Sequence, residues 1–194
     1  DEQLLLSYRS TGDQSHFTEL EQRYRQPLLC FLRRQIGSES IAEDVLQATL
    51  MQLHVKCGQF EEGRKVRPWL YRIAMNQAID SKRRNRRHEI VSLNQSTSSM
   101  DGQSYELVEM IQGENLLPEE ALQVNEQRKS VRQAVNSLPQ SLQTIVSLVF
   151  FQGLKYREAA ETLSIPVGTL KSRMHSALLK LRSEWPELQL SEAA

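Results

Sequence analysis

Apolar side chains recur at intervals of three and four positions through residues 1–90, the spacing of one face of an α-helix. The first such stripe comprises Phe17, Leu20, Tyr24, Leu28, Phe31 and Leu32. Pro27 lies within it and is expected to kink or split the helix, because proline has no backbone N–H and its ring clashes with the preceding turn. Gly37 and Ser38 should end this helix.

Two further helices are predicted in the same region. Ser40 can cap the second helix, with Glu43 three residues later as in a capping box. The apolar residues on one side of this helix are Ile41, Ala42, Val45, Leu46, Leu50 and Leu53. A polar loop at 58–67 follows, after which Pro68 suits the first turn of a third helix. That helix runs into five Lys and Arg residues between positions 82 and 87.

The helical periodicity stops at residues 91–118, where the polar, low-complexity run at 94–99 is typical of a linker. Helices are predicted again at 128–137 and 141–152, followed by two short helices joined by a tight turn within 153–182. No stretch of useful length alternates as a strand would. The predicted fold is all-α. Two small helical bundles, at 1–90 and 121–185, are joined by a flexible acidic linker at 91–120 and followed by a tail at 186–194.

The last two helices have the pattern of a helix-turn-helix, in which the second helix enters the DNA major groove. The side of this helix predicted to pack on the bundle consists of Val167, Leu170, Met174, Ala177, Leu178 and Leu181. The opposite side is polar and basic: Thr169, Lys171, Ser172, Arg173, His175, Ser176 and Lys180. The two serines allow close approach to base edges, and the cations can reach guanine or phosphate oxygens. An ordinary basic surface helix is the plainer alternative.

Charge along the chain is strongly segregated, although the formal net charge is zero over 194 residues. Residues 1–87 carry 15 Lys and Arg against 11 Asp and Glu, and residues 128–194 carry 9 against 5. Residues 88–127 carry 8 Asp and Glu and no Lys or Arg. Two basic modules therefore flank an acidic connector, and charge sorted in this way indicates what each part touches.

The third helix carries a second nucleic-acid signal. Arg72 and Asn76 are four residues apart and share a face, and Trp69 and the cations Lys82, Arg83 and Arg84 lie on the same helix. Single-stranded DNA binding uses aromatic groups on which bases stack and cations that follow the backbone. Trp69 and its neighbour Tyr71 are equally typical of a core, and the basic run is equally typical of a solvated helix end.

An acidic and amide-bearing surface is predicted on the second helix, at Glu43, Asp44 and Gln47. A module that binds only DNA has no need for such a surface, since it would repel phosphates. A surface for docking another protein accounts for it better.

The remaining composition limits the classes of function. Cys30 and Cys57 make no disulfide framework, which favours a reducing, cytoplasmic location. No apolar run approaches the roughly 18 residues of a membrane span, and no secretory signal is recognisable. No metal-ligand spacing, nucleophile elbow or P-loop is present, so we expect neither catalysis nor a metal or other cofactor.

Together these stretches resemble bacterial RNA polymerase sigma factors of the extracytoplasmic-function (ECF) type, from about residue 17 to about residue 182. The first two helices, with the motif Ala-Glu-Asp-Val-Leu-Gln at 42–47, resemble the helices of the family that bind core polymerase. The segment Pro-Trp-Leu-Tyr-Arg-Ile-Ala-Met-Asn at 68–76 resembles its −10-reading helix. Residues 138–182, with Pro-Val-Gly-Thr-Leu-Lys-Ser-Arg at 166–173, resemble its −35-reading domain.

The resemblance implies roles at the matching positions. Glu43, Asp44 and Gln47 would face the clamp of the largest subunit of core RNA polymerase. The implied −10 set, in which Asn76 reads an extruded base with help from the loop at 59–67, is Arg67, Trp69, Arg72, Asn76, Lys82, Arg83 and Arg84. The implied −35 set is Thr169, Lys171, Ser172, Arg173, His175 and Ser176. Promoter DNA and an anti-sigma factor are further implied partners, and a monomer is expected in the free state.

Two other classes of protein are considered. A stand-alone helix-turn-helix regulator would explain residues 138–182 but would leave the third helix and the acidic linker without a role. A metal-dependent nuclease built from Glu43, Asp44 and His54 would need these groups to converge. Adjacent carboxylates on a helix point in different directions, which disfavours that interpretation.

Overall fold

The computed structural model describes residues 1–92, 130–131 and 133–184, with side chains described up to residue 85 in the first range and residue 183 in the last. The chain divides into two compact units, Asp1–Glu106 and Leu107–Ala194. Every regular element among the described residues is helical, which confirms the predicted all-α class. Most of the predicted linker at 91–120 and the tail at 186–194 lie outside the described residues.

Four α-helices make up the described part of the first unit. They are α1 (Glu2–Thr11), α2 (Gln14–Ile36), α3 (Glu39–Lys56) and α4 (Val66–Ser92), with a single 3-10 turn at Cys57–Gln59 after α3. Helix α2 packs against α1, α3 and α4, and α3 packs against α4. The core is completed by an edge-on contact between the rings of Phe31 and Tyr71, whose centroids are 5.2 Å apart.

The helix ends follow local sequence signals, with one correction. Gly12 and Gly37 end α1 and α2 in the left-handed conformation, at φ 72° and 80°, where the absence of a Cβ removes the steric penalty. The prediction that Ser40 caps the next helix is wrong, because α3 begins at Glu39 with Ser38 at the cap position. The turn made by Gly37 is so short that helical conformation resumes two residues earlier than the capping-box pattern indicated.

The sequence predicted that Pro27 would kink or split α2, and the structure rules out the split. The helix is continuous from Gln14 to Ile36. Proline inside a helix costs about 3 kcal/mol. Buried side chains on both sides of it, among them Leu20, Tyr24, Leu28 and Phe31, anchor the two halves to one core. Burial of each such side chain contributes about 1.5–3 kcal/mol, so packing outweighs the local penalty.

The third predicted helix starts earlier and ends later than the sequence indicated. Helix α4 begins at Val66 and continues to Ser92, so Arg67 belongs to its first turn and the irregular loop is limited to residues 60–65. Phe60 and Val66, at the two ends of this loop, are buried. They anchor the loop to the core, although the sequence predicted a polar loop here.

The second unit contains a short helical segment at 130–137, residue 132 not being described, followed by α5 (Gln140–Val146), α6 (Tyr156–Leu163) and α7 (Val167–Glu184). The helix predicted at 141–152 is therefore present, but its second half, Ser147–Phe151, is a π-helical turn. Helix α7 packs against α5 and α6. Within the described ranges, no helix combines the length and apolarity needed to cross a bilayer.

Candidate nucleic-acid and protein-docking interfaces

Helix α7 has one buried and one exposed side. Leu170, Met174 and Ala177 are at most 1% exposed. The sequence also predicted burial for Val167 and Leu178, and this is wrong: their side chains are 36% and 44% exposed. Both lie at the margins of the apolar stripe, where the neighbouring helices no longer cover them. The buried stripe is consequently narrower than the sequence suggested.

The predicted DNA-facing residues of α7 lie on its open side. Lys171, Ser172, Arg173, His175 and Ser176 are exposed and Thr169 is partly exposed. The Ser172 hydroxyl donates to the Thr169 carbonyl and the Ser176 hydroxyl to the Ser172 carbonyl, each at 3.0 Å. Because the hydroxyls fold back onto the helix, the centre of this surface is low and the cations project on either side of it. A duplex could approach the helix backbone closely here.

The turn between α6 and α7 is short and hydrogen-bonded. Ser164 has a φ of 53°, a left-handed conformation that is uncommon for a residue with a Cβ. The Ile165 N–H donates to the Ala160 carbonyl at 3.0 Å, and the Leu170 N–H donates to the Pro166 carbonyl at 3.1 Å. At the other end of α6, the Glu158 carboxylate accepts the Lys155 N–H at 2.8 Å. The two helices are therefore held in a defined helix-turn-helix arrangement.

The second group of candidates lies along α4, from Arg67 in its first turn to Arg84. Asn76, Arg67, Arg83 and Arg84 are exposed, whereas Trp69, Arg72 and Lys82 are partly exposed. The Trp69 ring packs against the buried Phe60, with centroids 5.2 Å apart and planes tilted by 48°. The guanidinium carbon of Arg67 lies 5.8 Å from the centroid of the Tyr24 ring, a distance at which cation–π attraction holds a cation.

On α3, the three predicted docking residues share an open surface. Glu43, Asp44 and Gln47 are all exposed, because Ala42, Val45 and Leu46 point into the core between them. Two apolar residues were missed by the sequence reasoning. Met51 and Val55 are 62% and 61% exposed and continue the stripe Asp44–Gln47 at steps of four residues, the spacing of one helix face. The sequence prediction for this helix concerned only its apolar stripe between Ile41 and Leu53 and gave no role to Met51 or Val55.

The nuclease alternative finds no geometric support. His54 lies ten residues beyond Asp44 on α3, about 15 Å along the axis, and its Nδ1 is hydrogen-bonded to the Tyr8 hydroxyl. Over the part of the chain that the structure describes, no three His, Cys, Asp or Glu side chains are grouped so that they could hold a metal ion.

Comparison with known proteins accounts for both units. The family profile for Sigma-70 region 2 matches residues 20–88, and that for Sigma-70, region 4 matches residues 128–181. The ECF RNA polymerase sigma factor SigW of Bacillus subtilis is 30% identical over 177 residues, which cover 91% of this chain and 92% of SigW. The chain belongs to the ECF sigma factors. The RNA polymerase sigma-H factor of Pseudomonas aeruginosa is 29% identical over 181 residues, covering 91% of this chain and 89% of that protein.

A solved structure supports the same fold. The sigma factor RpoE from Bartonella quintana, in complex with the anti-sigma factor NepR, matches 89% of this chain and 98% of its own with a TM-score of 0.61 at 23% identity. As an ECF sigma factor, the protein is a transcription initiation factor that directs RNA polymerase to promoters. Its family is one of non-catalytic initiation factors.

Proposed function

We propose that this ECF sigma factor reads a two-part promoter, with the exposed side of α7 on the −35 duplex and α4 on the −10 element. The observation that carries the proposal is the separation of apolar and polar side chains onto opposite sides of α7. A fully buried apolar stripe faces its bundle, and six polar or basic side chains lie on the open side of a helix-turn-helix. The match to Sigma-70, region 4 across these residues supports the same role.

At the −35 element, Arg173 and Lys171 would contact guanine acceptors or phosphates while Ser172 and Ser176 allow the helix to sit deep in the groove. His175 and Thr169 would add contacts at the two edges of the surface. Each good bidentate base contact would be worth about 1–3 kcal/mol of discrimination.

At the −10 element, Asn76 would hydrogen-bond an extruded base, since its amide offers both a donor and an acceptor. Trp69 would supply a stacking surface, while Arg67, Arg72, Lys82, Arg83 and Arg84 would follow the displaced strand. Melting would then be driven by capture of unpaired bases and would require no covalent chemistry.

The docking surface for core polymerase would be the exposed stripe of α3. Its acidic end, Glu43, Asp44 and Gln47, would meet the clamp of the largest subunit, and the apolar end at Met51 and Val55 extends the same side. A polar rim beside exposed apolar side chains is a composition typical of protein interfaces.

The family also suggests a regulatory partner and an oligomeric state for this chain. The related RpoE is bound to an anti-sigma factor, so an anti-sigma factor is a second proposed partner for this chain. We expect the free protein to be a monomer that acts in the cytoplasm, where core polymerase is available.

Run-off transcription tests the proposal. Purified bacterial core polymerase with this chain, on fragmented genomic DNA, should give transcripts whose 5′ ends lie downstream of one shared two-part motif.

The variant Asp44→Ala tests the docking surface on α3. It should weaken core binding at least about tenfold, as loss of an interfacial hot spot does. The control Glu21→Ala, on a partly exposed acid of α2 paired with Arg25, should leave core binding unchanged. If the chain neither binds core polymerase nor yields transcripts, the proposal is refuted and a stand-alone regulator is favoured.

Asn76→Ala separates promoter melting from binding. Because Asn76 is exposed, its truncation should change the free energy of unfolding by less than about 0.5 kcal/mol. Open complexes, measured by permanganate reactivity of unpaired thymines, should fall about tenfold, in line with loss of a buried contact. Asn85→Ala, on the opposite side of α4, is the matched control. Equal melting by the two variants would refute the assignment of Asn76.

A further inference from the structure

Helix α1 contacts both ends of the loop at 60–65. At the start of the loop, the Arg9 guanidinium donates from Nη1 to the Phe60 carbonyl at 2.8 Å. At its end, the Glu2 carboxylate accepts the backbone N–H of Val66 through Oε1 at 3.2 Å. Residues 2 and 9 are two helical turns apart and therefore lie on one side of α1, about 10 Å apart along the axis. One rigid helix thus bridges the two ends of a single loop.

The hydrogen bond to Glu2 also caps the N-terminus of α4. The first N–H groups of a helix have no partner within it, and a negative charge near them is favourable. Pro68 removes one of these donors, and Glu2 satisfies that of Val66. Hydrogen bonds from its own backbone N–H, and less strongly from that of Val66, hold the pKa of Glu2 below its ordinary value of 4.5. The carboxylate is therefore charged at neutral pH.

Two further contacts, independent of the loop, hold α1 against the core. Leu5, between Glu2 and Arg9 on the same side, is fully buried, and the Tyr8 hydroxyl bonds to His54 on α3. The helix that holds the loop is consequently fixed to the core at two other points.

Between its two held ends the loop makes a tight, exposed turn. Gly63 has a φ of 85°, and the Arg64 N–H donates to the Glu61 carbonyl at 3.2 Å. The Arg64 and Glu61 side chains form an ion pair at 2.7 Å. Arg64 and Lys65 project from this turn, and Arg67 and Trp69 follow directly in the first turns of α4. The positions of Arg64 and Lys65 therefore depend on where the two ends of the loop are held.

We propose that Glu2 and Arg9, here called the α1 brace, are positioning residues that set the geometry of the loop at 60–65 and thereby the promoter's −10 preference. This rests on the proposed function, in which that loop and the start of α4 face the −10 element. The brace also reaches Trp69, because Arg9 holds the carbonyl of Phe60, against whose ring Trp69 packs. A loop held in advance loses less conformational entropy when it captures a base.

The first test measures the brace in the free protein. In the variant Glu2→Ala/Arg9→Ala, backbone amide hydrogen exchange at Val66 and within residues 60–65 should accelerate about tenfold or more, because charge-assisted hydrogen bonds are lost. Exchange in the buried centre of α2 should not change. The matched control is Glu21→Ala/Arg25→Ala, which removes a partly exposed acid and an exposed base that are paired at 2.9 Å on α2. Unchanged exchange in the loop would overturn the proposal.

The second test reads the functional consequence. Holoenzymes formed with the full-length chain and its variants transcribe a promoter library randomised at the −10 element, and products are sequenced. The brace variant should flatten the −10 base preference and lower open-complex formation about tenfold, with −35 preference and core affinity unchanged. The control should stay within about twofold of the unmodified protein.

Conservative variants separate positioning from simple loss of structure. Glu2→Gln keeps an oxygen that can accept the Val66 N–H, so it should restore much of the −10 preference that Glu2→Ala loses. Arg9→Lys keeps one donor and should restore part of what Arg9→Ala loses. Equal loss in Glu2→Gln and Glu2→Ala, or a brace variant that matches the control, would overturn the inference. Absence of transcripts from the unmodified chain, with the exchange result intact, would instead refute the proposed function and leave the brace as a structural feature.

Discussion

At the scale of single residues, neighbouring aromatic side chains on α4 have opposite environments. Tyr71 is fully buried against Phe31, whereas Trp69 is partly exposed beside Phe60. Two residues apart on a helix point to different sides, but which side is covered depends on where α2 and α3 pack. The sequence left both residues equally compatible with core and with DNA contact. The structure separates them and leaves only Trp69 accessible to a base.

Tyr71 gives a prediction about alkaline stability. Burial raises the pKa of its hydroxyl well above the ordinary value of 10.0. Above pH 10 the unfolded chain releases this proton while the folded chain retains it. The stability that Tyr71 contributes is therefore complete below pH 10 and falls as pH rises further, by up to about 1.4 kcal/mol per pH unit.

Tyr71→Phe should remove this part of the alkaline loss. We expect urea unfolding, followed by Trp69 fluorescence in a Trp185→Phe background, to show a shallower decline above pH 10 in the variant. Tyr156→Phe, at a partly exposed position in the other unit, is the control and should keep the full decline in the first unit. The same decline in both variants would contradict the assignment of the titrating group.

At the scale of elements, packing overrides local preference at several points. Helix α2 continues through Pro27, and the helix predicted at 141–152 changes to a π-helical turn at Ser147–Phe151. In α2, the buried side chains on both sides of Pro27 outweigh the local penalty of the proline. In α7, packing leaves a buried stripe that is narrower than the apolar pattern of the sequence.

Paired substitutions on α7 test that narrower stripe. Leu170→Ala should destabilise the second unit by about 2–5 kcal/mol, because it leaves a cavity at a fully buried position. Leu178→Ala should cost less than about 1 kcal/mol, since that side chain is 44% exposed. Hydrogen exchange of the backbone amides in α6 and α7 measures the loss of stability that each substitution causes in the second unit. A large loss of protection in Leu178→Ala would contradict the narrower buried stripe and support the wider one that the sequence predicted.

At the scale of the whole molecule, two basic modules flank an acidic segment at 88–127. Each module offers a small set of cations, and the acidic segment opposes long-range attraction of DNA to the free chain. The core polymerase, by fixing the separation of the two reading surfaces, would allow both to bind at a high effective concentration. Promoter recognition is therefore proposed as a property of the assembly.

This leads to a prediction about the free protein. The isolated chain should bind a duplex promoter only at about micromolar concentrations or weaker at physiological salt, as is typical of electrostatic, non-specific binding. Addition of core polymerase should tighten promoter binding by at least about a hundredfold. Fluorescence anisotropy with labelled promoter, at several salt concentrations, measures both. Nanomolar binding by the chain alone would contradict the division of labour and favour a stand-alone regulator.

Several features followed from the sequence because their causes are local. The helical class, the glycine that ends α2, the helix-turn-helix, and the exposure of Asn76, Arg173 and Asp44 all arise from side-chain spacing and backbone preference within a few residues. The family assignment also came from short motifs in a fixed order, and comparison confirmed it.

Other features required the tertiary structure because their causes are distant in the chain. The exposure of the apolar residues Met51 and Val55 depends on which side of α3 the other described helices cover. The bonds from Glu2 and Arg9 to the loop at 60–65 join residues more than fifty positions apart. No local pattern encodes such a pairing. The sequence thus determined which surfaces are polar and exposed enough for the proposed contacts, and the packing of α1 to α4 decided how the loop beside the proposed −10 residues is held.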